Sequence, residues 1–216
     1  MKKVALILSG CGYLDGSEIY EATLTLLALD QAGAEVQAFA PDIPQHHVIN
    51  HLTGEPANES RNVLVEAARL MRGKIRDIKT AQAIDFDALI IPGGFGAAKN
   101  LCDFAFKGSA MSVNADVLAF ARAMHNAGKP VGLVCIAPVM APAIGGKGTR
   151  YTIGSDASTA AAIDATGGVH VECPITDCVV DREKKIVTTP AYMYPAHISE
   201  AAIGIGKLVK AVLEMA

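Results

Sequence analysis

The chain has 216 residues, 51% of them apolar and 19% charged, with a net charge of −3. That balance suits a folded α/β enzyme with one continuous core and excludes disordered and fibrous classes. The longest basic run singled out is Lys184-Lys185, and no apolar stretch nears the roughly 18 residues of a membrane span, so neither nucleic acid nor a bilayer is expected as a partner.

The first residues, MKKVALILSG, resemble the start of an export signal, but the apolar run is only Val4–Leu8 before Gly10–Asp15 breaks it. It is read as a first buried strand. A helix over Glu18–Ala32 comes next, with Ser17 as N-cap and Gly33 as the stop, and then a strand over Glu35–Ala40. Residues 41–86 form an elaboration containing Pro41, Pro44, Pro56, His46, His47 and His51, and a helix over Glu59–Arg72. No carboxylate or thiol stands at a recognisable ligand spacing beside those histidines, so a hydrogen-bonded loop and no metal are expected. A strand over Ala88–Ile91, a helix over Asn114–Ala127, a strand over Val131–Val134 and a helix over Thr159–Ala165 come after it. Strands over Cys178–Val180 and Ile186–Thr189 precede a last helix over Ala196–Met215. Short, wholly apolar strands alternating with helices imply a parallel sheet covered on both faces. The expected fold is doubly wound, mostly parallel α/β of flavodoxin-like type, with residues 1–216 forming one domain and ligands outside the carboxyl ends of the strands.

Five cysteines, an odd number with no C-x-x-C pair, argue against structural disulfides and a zinc site and for a reducing, cytoplasmic setting. Cys135 is distinct from the other four. It ends the strand Val131–Val134 where a helix is expected to begin, and the field of a helix N-terminus favours thiolate, the nucleophilic form. Two further segments could meet it. Ile91-Pro92-Gly93-Gly94-Phe95-Gly96 ends a strand in glycines that allow backbone amides to face an oxyanion. Its spacing fits neither phosphate-binding glycine motif, so no nucleotide is expected. Gly10–Glu21 supplies two acids, Glu18 and Glu21, three apart on one helix, and either could relay a proton to a thiol.

Glu21, the Ile-Pro-Gly-Gly of residues 91–94 and the Val-Cys-Ile-Ala-Pro around Cys135 together resemble the PfpI/ThiJ superfamily, which has the class I glutamine-amidotransferase-like fold. SGCGYLDGSEIYEA, VINHLTGEP, RNVLVEAARL, IIPGGFGAAKNL, CIAPVMAP and KIVTTPAYM resemble its ElbB branch, named for enhancing lycopene biosynthesis, and spread the likeness over essentially the whole chain. The resemblance implies that Cys135 is a nucleophile on a strained elbow and that Glu21, not Glu18, is its acid. It further implies that the amides of Gly94 and Ile136, with Gly93 beside them, form the oxyanion and substrate site. The implied activity is a glyoxalase needing no cofactor, which converts glyoxal or methylglyoxal to a 2-hydroxy acid and is sometimes interpreted as a deglycase. A homodimer is implied as well. Two other functions fit the same resemblance: a redox-sensing dimer using Cys135, or an enzyme on another carbonyl or amide substrate linked to isoprenoid metabolism. Members with a histidine directly after the nucleophile have it where this chain has Ile136, and others carry one where it reads Arg150-Tyr-Thr-Ile-Gly154. A peptidase triad is therefore not expected. His197 and Glu200 are one residue too far apart for a glutaminase pair and are read as helix capping.

Overall fold

A computed structural model describes residues 1–216. In chain order the elements are β1 (Lys3–Ile7), α1 (Ile19–Gln31), β2 (Glu35–Ala40), α2 (Val63–Leu70), β3 (Ile75–Asp77), β4 (Ala88–Ile91), α3 (Phe104–Lys107) and α4 (Ala115–Asn126). The remainder are β5 (Val131–Val134), α5 (Ala141–Gly145), β6 (Arg150–Tyr151), α6 (Ala157–Asp164), β7 (Val169–His170), β8 (Val179–Asp181), β9 (Ile186–Thr189) and α7 (Ile198–Met215). Seven strands form one sheet in the order β3-β2-β1-β4-β5-β9-β8, parallel throughout except for β8, which runs antiparallel to β9 at the edge. β6 and β7 pair as a separate parallel ribbon.

Strand alternation distributes the apolar side chains between two cores. Ala5 and Ile7 of β1 join Leu89 and Ile91 of β4 on the face covered by α4 and α5. Val4 and Leu6 join Ala88 and Ile90 on the face covered by α1, α2 and α7. A period of two thus produces the three-layer arrangement directly. The chain leaves β1 toward β2 on one side and later toward β4 on the other, so a crevice opens at the carboxyl ends of β1 and β4, where this topology places ligands.

Several expected boundaries move for identifiable reasons. α1 is capped by Glu18, whose side chain accepts from the Glu21 N–H at 2.6 Å, not by Ser17. The Ser17 hydroxyl is buried and instead accepts the Ser9 N–H at 2.8 Å, a donor otherwise left unpaired at the end of β1. α2 starts at Val63, not Glu59, because the Asn62 side chain accepts the Val65 N–H and sets the N-terminus there. Residues 41–86 also add β3, parallel to β2, so the elaboration extends the sheet. The three histidines do not converge. The His46 and His47 rings pack on Phe106, while His51 Nε2 accepts the Leu14 N–H. At the start of α7, a Glu200 oxygen accepts the His197 N–H at 3.0 Å, which is capping.

Two glycines in α7 allow a stability test of opposite signs. A Cβ on Gly204 would lie 2.2 Å from the Ile175 carbonyl oxygen, whereas one on Gly206 would meet nothing within 4 Å. In urea unfolding, Gly204→Ala is expected to lose about 1–3 kcal/mol, from backbone displacement. Gly206→Ala is expected to gain about 0.5–1 kcal/mol, because the unfolded chain loses freedom at no cost to packing.

Candidate active site

Three loops leaving β1, β4 and β5 meet at the crevice. Hydrogen bonds between backbones fix the first two: Glu18 N–H to Gly93 O at 3.1 Å, Phe95 N–H to Tyr13 O at 2.7 Å, and Gly96 N–H to Gly16 O at 2.9 Å. Only glycine permits this approach. A Cβ on Gly94, whose φ is +86°, would lie 2.3 Å from the Glu18 nitrogen and 2.5 Å from the Gly16 oxygen. Asn100, in a π-helical turn after β4, clips the loops together. Its amide donates to the carbonyls of Ser9 (2.9 Å) and Asp15 (3.0 Å), and its oxygen accepts the His46 N–H at 3.0 Å. Asp15, also buried, accepts the Ile49 N–H at 2.7 Å. The 41–86 elaboration therefore braces the β1 loop from behind.

The third loop begins at Cys135. Its N–H makes the last ladder bond of β5, to Thr189 O at 2.9 Å, and the chain then turns through φ 60° at Cys135. Positive φ at a residue with a side chain is strained, and it aims the sulfur out of the sheet's end. A 3-10 turn over Ala137–Met140 then leads into the five-residue α5, in place of the helix N-terminus expected at the thiol. Such a short, tight segment carries little of the dipole field anticipated from the sequence.

Glu21 lies wholly buried beside this thiol, within hydrogen-bonding reach of it. Its carboxylate accepts the Gly93 N–H at 2.9 Å and the Tyr192 N–H at 3.4 Å, the latter presented by a second strained turn at Ala191 (φ 40°). Burial, and secondarily the charge of Glu18, pushes Glu21 up to about 8 from the ordinary 4.5. Cys135 is 7% exposed, and burial followed by the Glu21 charge raises its thiol well above the usual range; the Gly94 and Ile136 amides pull the other way. The expectation of a lowered thiol is thus corrected. Two adjacent buried groups resist carrying negative charge together. Gly93 sets their separation, since a Cβ there would lie 2.6 Å from the Cys135 Cβ and 2.8 Å from a Glu21 oxygen.

The structure therefore brings together all five residues singled out: Cys135, Glu21, Gly93, Gly94 and Ile136. Glu18 points elsewhere, capping α1 and lining the mouth of a cavity of about 450 Å³ above the thiol. Sequence reasoning missed the rest of that cavity, including Phe104, Asp156, Thr159, Tyr192 and Met193. Those side chains come from α3, α6 and the turn after β9, and no local motif ties them to Cys135. No histidine lines the cavity.

The sequence profile of the DJ-1/PfpI family matches residues 2–197. The chain belongs to the DJ-1/PfpI family. Human (Homo sapiens) glutamine amidotransferase-like class 1 domain-containing protein 3, mitochondrial, is 48% identical over 99% of this chain and 83% of its own length. The ES1 protein homolog, mitochondrial, of Rattus norvegicus is also 48% identical, over 99% of this chain and 84% of its own. Among solved structures, an isoprenoid biosynthesis protein with amidotransferase-like domain from Ehrlichia chaffeensis superposes with a TM-score of 0.94 at 37% identity. That match covers 100% of this chain and 99% of the other. This likeness agrees with the ElbB branch resemblance and with the doubly wound fold. The mitochondrial names of the relatives overturn the cytoplasmic expectation. Free cysteines indicate a reducing environment, and that property does not single out the cytoplasm. No helix is long and apolar enough to cross a membrane.

Two measurements test this geometry. Gly93→Ala is expected to lower stability by about 1–3 kcal/mol and to slow alkylation of Cys135, read by mass spectrometry. Glu21 takes up its proton on folding, so its contribution to stability is complete below pH 4.5, declines as pH rises to about 8 and is constant above that. Glu21→Gln should remove this decline, which is about 4 kcal/mol across the window. Parallel profiles for the two proteins in urea unfolding between pH 4.5 and 8 would contradict the assignment.

Proposed function

We propose that the protein is a cofactor-independent glyoxalase that converts a 2-oxoaldehyde to the corresponding 2-hydroxy acid, with Cys135 as nucleophile and Glu21 as proton carrier. The family includes glyoxalase and deglycase members. The observation that carries the reading is a buried carboxyl, its pKa pushed to about 8, held against a thiol on a strained elbow. A base with that pKa is well matched to taking and returning a proton near neutral pH.

The Cys135 sulfur adds to the aldehyde carbon, forming a C–S bond, and the carbonyl π electrons move to oxygen. The Gly94 and Ile136 amides face the developing oxyanion, and the thiol proton ends on that oxygen, giving a hemithioacetal. In molecules whose Glu21 has released its proton to solvent, the carboxylate removes the remaining hydrogen of that carbon as a proton, and the electron pair moves onto the neighbouring carbonyl oxygen, forming an enediolate. Glu21 then returns the proton to the neighbouring carbon while the hydroxyl proton of the first carbon passes to the neighbouring oxygen, and the first carbon becomes a thioester. One carbon is oxidised and its neighbour reduced, so no external oxidant is involved. Water cleaves the C–S bond, which releases the hydroxy acid and restores the thiol.

The redox-sensing alternative draws less support, because a buried thiol raised in pKa is a poor target for peroxide. A carbonyl substrate linked to isoprenoid metabolism draws support from the name of the Ehrlichia protein alone. Without a cavity histidine, hydrolysis of glutamine lacks its usual proton carrier. A homodimer is proposed on the family resemblance.

Wild type, Cys135→Ala and Glu21→Gln, each incubated with glyoxal and methylglyoxal, distinguish these readings by the glycolate and lactate formed. Cys135→Ala is expected to yield none, and Glu21→Gln to fall by about 10²-fold or more. Equal product from wild type and Cys135→Ala, or none from wild type, would overturn the proposal.

A further inference from the structure

The cavity above Cys135 is far larger than glyoxal or methylglyoxal requires. At about 450 Å³ it lies in the range of roughly 300–1,000 Å³ that encloses drug-sized ligands. Its walls are chiefly apolar. Phe95, Phe104, Ile136, Tyr192 and Met193 are among the lining side chains, and Ile136 directly follows Cys135 in the chain. The charges on it have one sign. The carboxyl groups of Glu18 and Asp156 line it, and no lysine or arginine contributes to the lining. Asp156 is held ionised by the Ser158 and Thr159 hydroxyls and amides, at 2.8–3.2 Å. Lys99, a nearby cation, is committed elsewhere: its Nζ donates to Leu14 O at 2.9 Å and sits over the Phe95 ring.

We propose that the cavity selects carbonyl compounds that carry an uncharged apolar arm, alkyl or aryl, next to the reacting aldehyde, and that it discriminates against anionic ones such as phosphorylated or carboxylated aldehydes. The inference rests on the glyoxalase reading for the reaction but on the cavity alone for the selectivity. The aldehyde reaches the sulfur at the base, and the arm lies along Phe95, Phe104 and Met193, where burial of apolar surface supplies binding energy that a small dicarbonyl cannot. An anionic arm would face the carboxyl groups of Glu18 and Asp156 with no countercharge in the lining.

The test uses electrophiles that react with the thiol whether or not the protein turns over a dicarbonyl. Iodoacetamide, iodoacetate and N-benzyl iodoacetamide each form a Cys135 S–C bond and expel iodide. Each rate is read by peptide mass spectrometry at Cys135 and divided by the rate of the same reagent with 2-mercaptoethanol. The normalised benzyl rate is expected to exceed that of iodoacetamide by about tenfold, from partial burial of the ring. Iodoacetate is expected to fall below iodoacetamide by about threefold or more. Asp156→Asn retains an N-cap for α6 and should narrow the iodoacetate deficit. Ala105→Phe, at an exposed position on the cavity wall, should reduce the benzyl-to-iodoacetamide ratio. Normalised rates within about twofold of one another in either wild-type comparison would overturn the inference. Phenylglyoxal and methylglyoxal kcat/KM then separate the two proposals. No hydroxy acid from any dicarbonyl, with the alkylation ratios intact, removes the glyoxalase reading and leaves the selectivity. Flat ratios with Cys135-dependent product do the reverse.

Discussion

A buried carboxyl and a buried thiol lie within hydrogen-bonding reach at the carboxyl end of the sheet, and like charges so close resist forming together. The remaining architecture of the site serves to hold Glu21 and Cys135 in that arrangement. Burial raises both groups, so the resting pair keeps its protons, and a nucleophile is produced only as a proton finds a new place. The Gly93 and Tyr192 amides on the carboxylate, and the Gly94 and Ile136 amides on the sulfur, make the ionised states accessible. Their effect is large because burial lowers the local dielectric.

Maintaining such a pair requires backbone in unfavourable conformations, and the fold supplies compensation close by. Positive φ at Cys135 and Ala191 is set against strand bonds of β5 and β9, including Cys135 N–H to Thr189 O. The β1 and β4 loops are joined backbone to backbone through Gly16, Gly94 and Gly96, a spacing no side chain could share. Asn100 and Asp15 then anchor those loops to the 45–50 segment. The elaboration after β2, which contributes nothing to the cavity lining, acts as the rear support of the first loop.

The family membership establishes a fold, and a fold does not select a substrate. Relatives named for an amidotransferase-like domain, and one named for isoprenoid biosynthesis, show how widely one scaffold's names range. The cavity around the pair has no histidine in its lining, and its walls are chiefly aromatic and aliphatic with the acidic Glu18 and Asp156. In the proposed function the buried pair carries the reaction, and in the proposed selectivity the side chains that α3, α6 and the β9 turn bring over it choose the substrate.

The sequence by itself determined the layered fold, because strands such as Val4–Leu8 and Ala88–Ile91 have no polar face and so must be covered on both sides. It also identified Cys135, Gly93, Gly94, Ile136 and Glu21, though the choice of Glu21 over Glu18 came from resemblance, since both acids sit in the first turn of one helix. Only the tertiary structure separates the two acids. Glu18 faces the cap and the cavity mouth, while Glu21 is enclosed against Gly93 and the thiol. The direction of the thiol's pKa was likewise invisible locally. A strand end followed by a helix suggests a stabilised thiolate, but burial and a neighbouring carboxyl 114 positions away along the chain reverse it. The short strand β3, the N-caps at Asn62 and Glu18, and the cavity walls escaped for the same reason. Each depends on which distant groups need a partner, and chain-local patterns do not record distance in space.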